Sequence, residues 1–158
     1  MNWAEKYLSW ANNDSAAAQF LSHFFEVMQG MDDFADNDQF TGEVGERERL
    51  AARMIGVMLI EIPENPFYRA NEGALRPVFA VLLHQWSLAN KLARSNRQQD
   101  LVFAYVLRTI SIQIATVVAH LTGGFDHANR VTEEAYATFY ETDPETLESW
   151  VAEQQEIT

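Results

Sequence analysis

Apolar residues recur along this chain with a helical period almost throughout, and no stretch alternates convincingly with a period of two. A first short helix runs through Trp3, Tyr7, Leu8 and Trp10 and stops at Asn12-Asn13-Asp14. Asp14 or Ser15 then caps a second helix, whose inner face carries Phe20, Phe24, Val27, Met28, Met31 and Ala35. After a loop through Phe40-Thr41-Gly42, a third helix is predicted at about 43–61, ended by Ile62-Pro63. Asn65-Pro66-Phe67-Tyr68 reads as a cap with proline at the first position of a short turn, and Pro77 opens a long helix in the same way, reaching about Arg94.

The following segment, about 98–121, is apolar on nearly every side, and Gly123-Gly124 terminates it. Such a helix belongs at the centre of a bundle, surrounded by others. Helices at about 125–140 and 144–155 complete the chain. The expectation is an all-α protein, residues 1–158 forming a single-domain helical bundle of about six to seven helices with a buried central helix.

Composition agrees with that picture and narrows the setting. A chain of 158 residues, 47% of them hydrophobic, can bury roughly two-thirds of its unfolded surface. The absence of cysteine excludes disulfides and thiolate metal sites. Together with a start that lacks a basic segment followed by an apolar run, it points to the cytoplasm. Arg108, Gln113 and His120 interrupt the longest apolar stretch, which is read as a core helix and not a membrane span. The net charge of −12 is uneven: 4 Lys/Arg stand against 12 Asp/Glu in residues 1–64, 7 against 3 in 65–130, and none against 8 in 131–158. That surface argues against direct binding of a nucleic-acid backbone, and it suits either plain solubility or a basic protein partner.

Polar exceptions inside the apolar helices are candidates for a site. Thr109, Gln113, Thr116 and His120 form one stripe with Arg108 about a quarter turn away, and His84, Ser87 and Lys91 share a face on the preceding helix near Asn90. Two antiparallel helices with such stripes would line a cavity, making Arg108, His84, Lys91, Asn90, Gln113 and His120 the substrate-binding candidates. The plainer alternative pairs Arg108 with Asp32 or Asp36 and lets the hydroxyls bond their own backbone.

The sharpest chemical signal is Asp32-Asp33-Phe34-Ala35-Asp36-Asn37-Asp38, at the end of the second helix. Aspartates there oppose the helix dipole and repel one another, whereas a divalent cation would draw them together. Asp32 and Asp36 lie one turn apart and would ligate Mg²⁺ or Mn²⁺, with Asp33 and Asp38 in support, to meet a phosphate. No phosphate-binding glycine loop, His-Glu-x-x-His or Gly-x-Ser-x-Gly element accompanies the cluster.

Asp32-Asp33-Phe34-Ala35-Asp36 resembles the aspartate-rich motif of all-helical isoprenoid synthases, whose carboxylates hold Mg²⁺ against a diphosphate. The chain is about half as long as those enzymes and lacks their second motif. The wider set Asp32-Asp33, Asp36, Asp38, Asn65-Pro66-Phe67-Tyr68, Trp86, Ala89-Asn90 and Leu107-Arg108 is similar to small helical proteins of tailed bacteriophages, which implies the host cytoplasm but no activity. Two functions therefore stand: a Mg²⁺- or Mn²⁺-dependent protein that binds or acts on a phosphate- or diphosphate-containing small molecule, and a non-catalytic acidic protein that binds a basic partner or copies of itself. In the second, Trp3, Trp10 and Trp150 are the expected anchors. Acids converging on Arg108 and His84 would favour the first.

Overall fold

A computed structural model describes residues 2–36, 43–142 and 146–156, and these contain helices and turns but no strand. In chain order the helices are α1 (Trp3–Trp10), α2 (Ser15–Asp36), α3 (Glu46–Gly56), a π turn (Val57–Glu61), α4 (Ile62–Glu64), α5 (Pro66–Leu92), α6 (Gln98–Arg108), a 3-10 turn (Thr109–Ile112), α7 (Gln113–Thr142) and α8 (Leu147–Glu156). Their starts follow local chemistry. Asp14 accepts hydrogen bonds from the amides of Ala16 and Ala17 at 2.9 and 3.0 Å and so caps α2. Asn65 accepts from the Tyr68 amide at 3.1 Å and caps α5, with Pro66 in the first helical position. Between α1 and α2 the chain turns through Asn12 and Asn13, both left-handed at φ 52° and 64°.

Phe20 is fully buried at the centre of the core, its ring 5.7–6.1 Å from those of Phe67, Tyr68 and Phe79. These contacts pack α2 against α5. The other wall is the first arm of α7, where Ile114, Ala115, Val118 and Ala119 are all fully buried. The central helix is therefore present, but it begins later than the apolar pattern predicts. The 3-10 turn divides the expected helix 98–121, and α6 buries only Leu101 and Ala104 while Val102, Phe103 and Val106 face solvent. α6 packs on α5 and α8, in a satellite cluster around Trp150.

Gly124 adopts φ 76° and ψ −170°, a conformation essentially confined to glycine, and it divides α7 into arms 113–123 and 125–142. The hydroxyls of Thr116 and Thr132 meet at 2.7 Å, whereas 16 residues of unbroken helix would separate them by about 24 Å. The two arms are thus antiparallel, as the Gly123-Gly124 stop requires. One stretch, Gln98–Phe139, is long and apolar enough to cross a membrane by length and composition alone; here it is bent at the 3-10 turn and reversed at Gly124.

Pro77 departs from expectation in the opposite sense. It lies inside α5 and does not open a helix. Proline frees the carbonyl four residues earlier, that of Gly73, and both residues are exposed, so water can take the freed group. Packing of Leu75, Val78 and Phe79 against the core carries the helix across the defect.

Candidate functional site

The most organised polar cluster joins α2 to the segment 53–61. His23 and Glu26 stand three residues apart on one face of α2. Arg53, near the end of α3, grips the Glu26 carboxylate with two nitrogens, Nε at 2.6 Å and Nη2 at 2.9 Å. The same guanidinium reaches Glu61, the last residue of the π turn, through Nη1 and through Nη2 at 3.3 Å. Glu61 in turn accepts from His23 Nε2 at 3.0 Å. The hydrogen bond from Arg53 is the chief cause that holds the Glu61 carboxyl below its ordinary range. His23 is largely buried, and its Nδ1 has no hydrogen-bond partner among the described residues.

The backbone between these anchors is unusual. The Ile62 amide bonds the Val57 carbonyl five residues back, closing a π turn, a widened helical turn frequent at functional positions. Val57 and Ile62 point into the core. Met58, Leu59 and Ile60 are turned outward at 46, 70 and 56% exposure, joined by Ile55 at 57%. Single exposed apolar residues are ordinary, but four within six positions are not. α3 itself sits close on α2: a Cβ on Gly30 would lie 2.8 Å from Met54 Sδ and 3.3 Å from Leu50 Cδ1, so the Met54 side chain packs directly over the glycine. The ion-paired cluster and this close contact present the four apolar residues as a knuckle on a fixed base.

The residues expected to bind substrate are distributed elsewhere. His84 and Lys91 are exposed on α5, beside Val81 and Leu88, and Gln113 and His120 are exposed on the first arm of α7. Asn90 is half-buried on α5. Of the stripe on 109–120, only Gln113 and His120 face outward, for Thr109 is buried and Thr116 meets Thr132 between the two arms of α7. The guanidinium of Arg108 lies over the Trp150 ring, 5.6 Å from its centroid. Thr109 donates to the Val106 carbonyl at 2.8 Å, the self-bonding of the plainer reading. Trp10 and Trp150 are buried, which leaves Trp3 exposed among the three expected anchors.

Of the aspartates, Asp32 and Asp33 are half-buried at the end of α2, and Asp33 accepts from Gln29 Nε2 at 2.8 Å. The Asp36 side chain and Asp38 lie outside the described residues. Among the described residues, no group of three or more acids and histidines is placed to hold a metal ion.

A concavity of about 430 Å³ lies between α1 and the second arm of α7, lined in part by Glu5, Asn13, His127 and Arg130. Two of its lining groups, His127 and Glu134, already serve the fold. His127 Nε2 lies 3.0 Å from the Trp10 carbonyl, to which it donates, and Lys6 pairs with Glu134 at 2.7 Å.

Sequence reasoning missed the His23, Glu26, Arg53 and Glu61 cluster. Its one visible sign is the i, i+3 spacing of His23 and Glu26, since the other partners are 27 and more residues away. Comparison of the chain with protein-family models, curated proteins and solved structures finds no match.

Proposed function

We propose that this is a non-catalytic interaction or assembly protein whose contact surface is the knuckle Ile55–Ile60. The observation that carries the reading is the outward display of Ile55, Met58, Leu59 and Ile60 on a turn tied to α2 by the Arg53–Glu26 ion pair at one end and the His23–Glu61 contact at the other. Half-exposed aliphatic side chains gain on the order of 1 kcal/mol each when covered. A rigid base adds little ordering cost on association. Exposed acids nearby, such as Glu48 and Glu64, suit a partner with basic flanks.

If these side chains serve contact and not the fold, replacing Met58, Leu59 and Ile60 together by serine leaves the melting temperature within a few degrees of wild type and abolishes association. A loss comparable to a core substitution would mean that they pack within the protein, and the reading would fail.

A second reading retains a Mg²⁺ or Mn²⁺ site on Asp32, Asp36 and their neighbours for a phosphate compound. It is supported by the position of Asp32 and Asp33 at a helix C-terminus, where the dipole disfavours acids. On that reading millimolar Mg²⁺ or Mn²⁺ raises the melting temperature, and Asp36→Asn removes most of the gain. An unchanged transition in both proteins leaves the interaction reading alone.

A further inference from the structure

We propose that the partner of the knuckle is the α5–α6 hairpin of a second copy of this chain, so that copies join head to tail. The inference rests on the reading of the knuckle as a contact surface. It adds the identity of what covers it.

The hairpin carries a second apolar face of its own. Val102, Phe103 and Val106 are exposed on α6, and Val81 and Leu88 on α5. The two surfaces belong to different elements: α6 packs on α5, the 3-10 turn and α8, whereas the π turn packs on α2, α3 and α4.

Their flanks carry opposite charge. Residues 81–108, which carry the whole of that apolar face, hold 4 Lys/Arg against 1 Asp/Glu in a chain of net charge −12. Lys91, one turn past Leu88, and Arg94 are exposed and make no ion pair among the described residues. On the other surface, Glu48 lies two turns before Ile55 on the same face, and Glu64 follows the π turn; both are exposed and make no ion pair among the described residues.

Charge decides which surfaces meet. A symmetric pairing of hairpin with hairpin brings cations against cations, and knuckle with knuckle brings acids against acids. Hairpin on knuckle buries both apolar faces and sets Lys91 and Arg94 opposite acids. Such a contact uses two different patches, so each copy keeps one of each open, and assembly continues until a ring closes or a filament grows.

Light scattering on size-exclusion chromatography tests this with Leu59→Glu, which blocks the knuckle, and Phe103→Glu, which blocks the hairpin. Both positions are exposed, and melting curves verify that the variants fold. The expected results are a wild-type mass that rises with concentration and falls with salt, monomers for each variant alone, and a 1:1 dimer when the two are mixed. Lys91→Glu with Arg94→Glu weakens the wild-type association at least tenfold.

Persistent self-association of either single variant, or no dimer on mixing, overturns the head-to-tail contact. A wild type that stays monomeric while the triple serine variant melts normally overturns self-association and leaves the contact reading in place. A triple serine variant that melts like a core mutant removes both.

Discussion

Ile114→Asp lowers the melting temperature by on the order of 10 °C or prevents folding altogether. Ile114 is fully buried in the first arm of α7, among apolar neighbours from α2 and α5. A carboxylate there is either ionised without a partner or protonated at a cost, and the isoleucine packing is lost as well. Together these cost about 4–5 kcal/mol or more, out of a total stability of about 5–15 kcal/mol for a folded domain. In a chain of this length each kcal/mol moves the transition by about 2–4 °C. Thermal unfolding followed by circular dichroism reads the shift directly. A near-wild-type transition would remove this arm from the centre of the core.

Phe20→Ala is the second large loss, about 3–5 kcal/mol. Its ring packs against three aromatic rings: Phe67 at 5.7 Å, Phe79 at 6.0 Å and Tyr68 at 6.1 Å. All three partners belong to α5, so truncation opens a cavity along the α2–α5 seam that helical backbones cannot close without sliding. Phe103→Ala is the control. That ring is 54% exposed on α6, and its removal changes stability by no more than about 0.5 kcal/mol. Denaturant titration of the two variants measures the contrast, and equal losses would contradict the assignment of Phe103 to an outer face.

The difference between those two phenylalanines also explains what the sequence conveys and what it conceals. Helix positions, the Asp14 and Asn65 caps and the Gly123-Gly124 stop depend on residues a few places apart, and they are legible. Segment 98–121 reads as one buried helix because its apolar residues surround the axis. Three of them, Val102, Phe103 and Val106, are instead turned to solvent. Periodicity records how apolar a face is, but not what covers it. An apolar face turned to solvent has the same composition as one turned to the core.

The candidate site was less accessible still. Arg53 and Glu26 are 27 residues apart, and their pairing follows only from the packing of α3 on α2 at Gly30. The π turn that displays Met58, Leu59 and Ile60 shifts the helical register within five residues, which defeats a fixed 3.6-residue projection. Lys91, read as a substrate contact, is exposed beside Leu88, and Trp150, read as an anchor for a partner, holds Arg108 within the satellite cluster.

If a second copy covers the knuckle, as proposed, a fluorophore placed on it reports that most directly. The chain has no cysteine, so Leu59→Cys offers a single labelling site on the most exposed residue of the group. With a trace of labelled chain in rising concentrations of unlabelled wild type, the emission of an environment-sensitive dye shifts to the blue and saturates, and unlabelled Phe103→Glu fails to produce the shift. Emission that remains that of a dye in water at every concentration of wild type would contradict burial of the knuckle by a second copy.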